Sequence, residues 1–420
     1  MHKAVVAFGA LASLCLAEDI DFIRDPGVYG PALETVHAFY NQWPTGIAVS
    51  KTGRIFSNFP GGLDPTNVYN GSNSIFTVGE LTSLKQEVAY PSREMNSPPG
   101  GAINYTTTPP TGANYPNYLI GVQSVVIDSL DRLWILDTGR VLLPDGSALV
   151  NSVYGGPKLV GVDLATNSVF QTILFPETVA YPDSYLNDVR FDLRSNITTS
   201  GKGVAYITDS SSEGRNGIVI ADLGTGESWR HLDLDRSVRS EPQFLPFVWG
   251  VPFYSIPQTG APLTYLSMGS DGIAISADGE ALYYGPIGSR YLYSVPTKLL
   301  RERGQTSEIM AQQGVKSHGQ KGVSDGFETD SQGRVYMGNM EQDGIVVFNP
   351  QNGTTEMFLR DPRISWVDTM SVSTDGYLYF TNNQLNMAAS AYPGVDRRVR
   401  PFGAFRVKLP DGASRVDLTK

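Results

Sequence analysis

One short unit recurs along this chain, and its recurrence restricts the fold more than any other feature. Its clearest copy runs from Gln123 to Gly139, QSVVIDSLDRLWILDTG. An alternating apolar strand (Val125, Ile127) leads into a polar turn from Asp128 to Arg132. A second apolar strand, Leu133 to Leu136, then ends on Asp137 and Thr138. Residues at i and i+2 share one face of a strand, so the unit predicts two antiparallel strands of one sheet. Five further copies follow the same plan: TGIAVSKTGRIFSN from Thr45, NDVRFD from Asn187 resuming as GVAYITD at Gly203, DGIAISADGEALYYG from Asp271, DGFETDSQGRVYMGN from Asp325, and DTMSVSTDGYLYFTN from Asp368.

The starts are spaced roughly 40 to 85 residues apart, which suits a four-stranded blade with variable loops. The gaps supply outer hairpins at Lys158–Phe175, Gly217–Leu232 and Gly344–Leu359, each with a Gly- or Asn-rich turn. PTKLLRERG, Pro296 to Gly304, predicts one short helical turn. Six units predict an all-β, six-bladed β-propeller, because one blade alone leaves both faces exposed and a closed ring buries them. GAFRVKL, Gly403 to Leu409, is expected to pair beside the N-terminal segment and close the ring. A β-sandwich or two separate β domains is the competing architecture.

The chain has 420 residues and a net charge of −10, which argues against nucleic acid, since phosphate binding needs a basic surface. Met1–Ala17 reads as a signal peptide, with Lys3 before an apolar run and Leu16-Ala17 at the cleavage end. Residues 18–420 are then expected to form one propeller domain. No apolar run is long enough to span a bilayer, so a secreted, extracellular protein is expected. Cys15, the only cysteine, lies in that leader. A Cys nucleophile, a Cys-ligated metal and a disulfide framework are therefore excluded from the mature chain. Asn70, Asn104, Asn196 and Asn352 open Asn-x-Ser/Thr triplets, candidate glycosylation sites on surface loops.

In a propeller the innermost strands line a central channel, so the first polar residues of the units converge at one mouth: Thr45, Gln123, Asn187, Asp188, Asp271, Asp325, Asp368 and Thr369. Polar groups at the starts of apolar strands are what a shared ligand site uses. The same residue types also bond local backbone N–H groups and carry no chemistry. Asn187, Asp271, Asp325 and Asp368 carry oxygens that suit Ca²⁺, but no loop has dense ligand spacing, so no metal or other cofactor is assigned. His37, His231 and His318 stand far apart, which disfavours zinc. Asp137-Thr138 and Tyr206–Asp209 close apolar strands and are expected at the opposite end of the channel or in turn bonds. GVSDG, Gly322 to Gly326, has the shape of a nucleophile elbow but no following helix, so Ser324 with His318 is not read as a catalytic pair. Trp366 precedes a mouth position and is a candidate for stacking on a planar ligand.

SVVIDSLDRLWILDTG resembles the signature of the yellow/major royal jelly protein family. YPSREMN, KLVGVDL, VAYITDSSSEGRNGIVIADL, DGIAISADGEALYYGPIGSRYLYSVPT and SWVDTMSVSTDGYLYFTNNQL follow in the family's order, over about Ala38 to Val407. The family's usual Trp-Pro-Asp-Thr is Trp366-Val367-Asp368-Thr369 here, and its frequent cysteines are absent, which points to a microbial, fungal version. The resemblance implies a six-bladed propeller. It implies roles as varied as dopachrome conversion, binding of biogenic amines in the channel, and nutrition. By resemblance the amine site matches Thr369 and Asn382-Asn383. Three functions follow as expectations. One is an isomerase- or lyase-type enzyme acting on a small aromatic or quinoid molecule of pigment or secondary metabolism, with Asp271, Asp325 or Asp368 moving the proton. The second is a non-catalytic binder of amines or phenols. The third, by fold analogy, is a Ca²⁺-dependent lactonase. The partner expected is a small molecule, without nucleic acid or membrane.

Overall fold

The computed structural model describes residues 23–256 and 261–420. The leader peptide read at residues 1–17, with Cys15, lies outside the described residues. Six four-stranded antiparallel sheets are arranged around one axis as a β-propeller. Each innermost strand touches the innermost strands of the blades on either side, and the first touches the sixth.

In the second blade, Val122–Ile127 pairs with Leu133–Asp137, then Lys158–Asp163, then Ser168–Leu174. The second strand reads as continuously apolar because both its faces are buried. Leu133 and Ile135 pack towards the first blade with Ala48, Phe56 and Val125. Trp134 and Leu136 pack towards the third with Val189, Phe191 and Ile207, the Trp134 and Phe191 rings stacking at 5.1 Å. The third blade repeats the division: Ala205 and Ile207 face the second blade, Val204 and Tyr206 the fourth. Period-2 alternation therefore glues each blade to two neighbours.

The polar turn between the first two strands is held by one carboxylate. Asp128 accepts from the backbone of Leu130 and Arg132, pairs with the Arg132 guanidinium at 2.7 Å, and accepts from Trp134 Nε1 at 2.8 Å. Asp330 does the same for Gln332, Arg334 and the Tyr336 hydroxyl in the fifth blade. DSLDRLW and DSQGRVY are thus one local structure, a turn clamped onto the aromatic residue of the next strand.

The sixth blade is composite. Val367–Val372, Tyr377–Asn382 and Phe402–Lys408 are joined by Glu34–Phe39 as the outermost strand. Phe39 lies opposite Phe402 and Ala38 opposite Gly403, the closure expected from the sequence. The helix Thr297–Arg301 falls where a helical turn was predicted. A second helix, Ser307–Gln313, and the fourth-blade edge strand Lys316–Gln320 were not legible, because KSHGQ has no apolar alternation. Residues 414–418 cross the far end of the channel. Ser414 bonds Ser331, Arg415 bonds Val49 and Asp131, Val416 bonds Ser129, and Leu418 bonds Leu193. No helix among the described residues is long and apolar enough to cross a membrane.

Phe39 is fully buried against Phe59, Trp43 and Phe402 at the closure. Phe39→Ala is expected to cost about 3–5 kcal/mol in urea unfolding. A loss under about 1 kcal/mol would mean that the N-terminal strand does not hold the ring shut.

Candidate functional site at the channel axis

The innermost strands begin at one mouth of the channel, and their first polar residues meet there. Thr45 lies just ahead of the strand Ala48–Val49 and Asp325 just ahead of Phe327–Thr329, while the others lie within their strands. Asn187 of the third blade donates from Nδ2 to Asp271 of the fourth. Asp271 and Asp325, from adjacent blades, stand close enough for each to shift the other's carboxyl, Asp271 upwards and Asp325 downwards. Asp325 Oδ2 also accepts from Trp366 Nε1 at 2.6 Å. Asp368 accepts from Asn383 Nδ2 at 2.7 Å and from Thr369 Oγ1 at 3.2 Å. Asp188 accepts from Ser124 at 2.7 Å and pairs with Arg190 at 2.9 Å.

On the other side of the axis, Asn58 Nδ2 donates to Thr45 Oγ1 at 2.8 Å and to the Gln123 carbonyl at 2.9 Å. Tyr185 donates from its hydroxyl to Gln123 Oε1 at 2.8 Å. Gly62 makes this approach possible, since a Cβ there would stand 2.4 Å from the Tyr185 oxygen. Every one of the eight mouth residues is buried, Asp271 being 2% and Asp325 and Asp368 each 5% exposed.

Among the described residues, none of Asp271, Asp325 and Asp368 has a Lys or Arg at ion-pair distance. Burial pushes the Asp271 carboxyl well above the usual carboxylate range, and the charges of Asp325, Asp368 and Asp188 push the same way. Burial raises Asp325 to about 6, with the Asp271 and Trp366 hydrogen bonds pulling back. Asp368 is raised by burial and by Asp325, against the pull of Asn383 and Thr369. Each carboxyl of such a cluster raises the cost of ionising the next, so their protons leave in separate steps that belong to the cluster.

The structure corrects several sequence expectations. Asp137 lies opposite Val122 and Asp209 opposite Leu186, so the ends of the second strands sit at the same mouth as the starts of the first, not at the opposite end. Antiparallel pairing requires this. These residues brace the loops entering the channel: Asp137 takes the backbone N–H groups of Ile120 and Gly121, and Asp209 that of Tyr185. Thr208 donates to the Asp271 carbonyl at 2.8 Å. Asn382 is such a brace too: its side chain bonds the backbone of Ser365, Trp366 and Arg363, which leaves it little for a ligand. Trp366 is fully buried with Phe253 edge-on at 5.1 Å, so it supports Asp325 and offers no open stacking face. His318 bonds Ser294 on the outer part of the fourth blade, so Ser324 has no histidine partner there.

Sequence reasoning missed Tyr185, Arg190 and Glu328. Arg190 had a signal, an arginine within the innermost strand NDVRFD. It is buried between Asp188 and Glu328, whose carboxyl burial pushes up and Arg190 pulls down. Among the described residues, no three His, Cys, Asp or Glu side chains are grouped to hold a metal ion. Of the sequon asparagines, Asn70, Asn196 and Asn352 are exposed and Asn104 is half-buried.

A family model for major royal jelly protein matches residues 120–411. The chain belongs to the major royal jelly protein family. Major royal jelly protein 5 of Apis mellifera is 24% identical over 246 residues, covering 58% of this chain and 35% of that protein. Protein yellow of Drosophila erecta is 24% identical over 250 residues, covering 57% of this chain and 39% of that protein. The matched region thus spans little more than a third of these relatives. A solved luciferin-regenerating enzyme superposes with a TM-score of 0.51 at 10% identity, covering 92% of this chain and 97% of that one, a likeness of fold alone. This member of the royal jelly family therefore places three carboxyls, from its fourth, fifth and sixth blades, at the propeller axis.

An Asp whose folded pKa lies above its unfolded value binds more protons folded than unfolded, so stability falls as pH rises between the two values. For Asp325 that window runs from its ordinary value of 3.8 to about 6. The wild type is expected to lose roughly 2–3 kcal/mol relative to Asp325→Asn between about pH 4 and pH 7 in urea unfolding. A difference that is flat, or that rises with pH, would contradict the raised pKa.

Proposed function

We propose that the axial site is a proton-transfer site for the polar end of a small phenolic or quinoid molecule. One observation carries this reading: three buried carboxyls from separate blades act on one another, and among the described residues none has a Lys or Arg at ion-pair distance. With a pKa of about 6, Asp325 is poised to accept a proton near neutral pH. Asp271 and Asp368, whose carboxyls burial pushes above the usual range, would return one to another atom of the same ligand. The net change is a tautomerisation, or a dehydration when the proton goes to a leaving hydroxyl. Asn187, Thr369 and Asn383 would orient the ligand's oxygens. Trp366 holds Asp325 in place as a positioning residue. Pigment or other secondary metabolism is the setting this chemistry suits.

A second reading has its own support. Unpaired buried carboxyls also suit a cation, so a protonated amine that binds without turnover would satisfy them. We further propose a secreted glycoprotein, on the strength of the N-terminal leader pattern and the exposed Asn70, Asn196 and Asn352; Asn104 would be modified less readily.

Dopachrome and dopamine separate the two readings. Catalysed loss of dopachrome absorbance, lowered at least about 100-fold in Asp325→Asn, is the expected result. Saturable dopamine binding by calorimetry, with dopachrome left at its uncatalysed rate, would replace the first reading with the second.

A further inference from the structure

A second polar site lies away from the axis, in the cleft between the fourth and fifth blades. Its cavity is about 410 Å³, within the range of small-molecule pockets. Lys321, Asn339, Gln342, Thr355 and Gln320 line it, with the Arg290–Glu341 pair at one side. Two residues mark this cleft. Asn339 is 3% exposed, and its Oδ1 has no hydrogen-bond partner. Its Nδ2 is engaged with Gln342 Oε1 at 3.1 Å, which fixes the amide and leaves the Gln342 NH₂ free to donate. The chain is shaped to this amide, because a Cβ on Gly322 (φ +90°) would meet Asn339 Nδ2 at 2.4 Å.

Lys321 is the other. It is 2% exposed, and its Nζ donates to the carbonyls of Gly322 at 3.1 Å and Ser289 at 3.4 Å and stands 5.4 Å from the centre of the Phe327 ring. Among the described residues no carboxylate stands at ion-pair distance from it. Burial pushes the amine down to about 7, against the opposing charges of Asp325, Glu341 and Glu241. A large share is then uncharged at neutral pH, and an uncharged buried lysine amine is a nucleophile towards carbonyl carbon.

We propose that this cleft is a second ligand site, taking a small hydroxylated aldehyde or ketone, with Lys321 Nζ forming an imine to its carbonyl carbon and Asn339, Gln342 and Thr355 holding its hydroxyls. A hydroxyl can donate to Asn339 Oδ1 while accepting from the Gln342 amide, and this matches the unpartnered atoms. The step balances. The amine nitrogen bonds the carbonyl carbon, the carbon–oxygen bond breaks, and the two amine hydrogens leave with that oxygen as water. No oxidant or reductant takes part. The proposal does not rest on the axial reading, although Lys321 and Asp325 act on one another by charge along the connection between the two sites.

Glycolaldehyde is a suitable probe, with the imine trapped by cyanoborohydride at neutral pH on the full chain and the adducts mapped by peptide mass spectrometry. Lys321 is expected to be modified at least about tenfold faster than the exposed Lys51 and Lys85. Thr355→Trp, which fills the cleft from an outer strand, is expected to bring Lys321 down to the rate of those lysines while the thermal midpoint holds. Modification of Lys51 and Lys85 ahead of Lys321, or a Lys321 rate indifferent to Thr355→Trp, would overturn the proposal. The wild-type labelling decides the matter even if the variant fails to fold.

Discussion

The pairing of Glu34–Phe39 with Phe402–Lys408 is the constraint on which the rest depends. Until those two segments meet, the first and sixth blades each leave an apolar face in water. Once they meet, every blade has two neighbours and the innermost strands are forced around a common axis. The axial site is a consequence of that closure, because its carboxyls come from separate blades and have no local reason to approach. Bringing them together is unfavourable by itself. The apolar packing between blades, such as Trp134 on Phe191, supplies the free energy that holds them there.

The channel has two different ends. At one, carboxyls and amides gather, braced by Asn58, Asp137, Asp209 and Asn382 from the ends of the second strands. At the other, residues 414–418 cross beneath Arg190 and Glu328 and cover the base. The axis therefore carries acid at the mouth and a paired arginine below. Hydrogen-bond partners separate residues that turn toward the axis from residues that fix the loops. Asp271 accepts from Asn187, itself at the mouth, whereas Asn382 spends its side chain on backbone.

Much of this was legible in the sequence, for a physical reason. A strand buried on both faces, next to a strand that alternates, has a local signature, and six repeats of it leave few folds. The convergence of Asn187, Asp271, Asp325 and Asp368 followed from their place in the repeat. What could not be read depends on long-range geometry. Lys316–Gln320 has no apolar pattern and joins its blade only after two helices. Arg415 reaches Val49 and Asp131 across the channel base. Lys321 is an ordinary surface residue by sequence, and only the packing of two blades buries it. Asp137 and Asp209 return to the mouth because antiparallel pairing folds each second strand back along the first, a relation between two strands that neither segment shows alone.

The central claim is that buried carboxyls at the axis hold protons at pH values where ordinary aspartates do not. Side-chain carboxyl ¹³C NMR, with aspartate labelling and assignment by Asp325→Asn and Asp368→Asn, reads this directly. The account predicts a resonance of Asp325 that titrates near 6, with Asp271 and Asp368 displaced upwards and their curves altered when Asp325 is replaced. Independent titration of all three near the ordinary aspartate value of about 3.9 would contradict it.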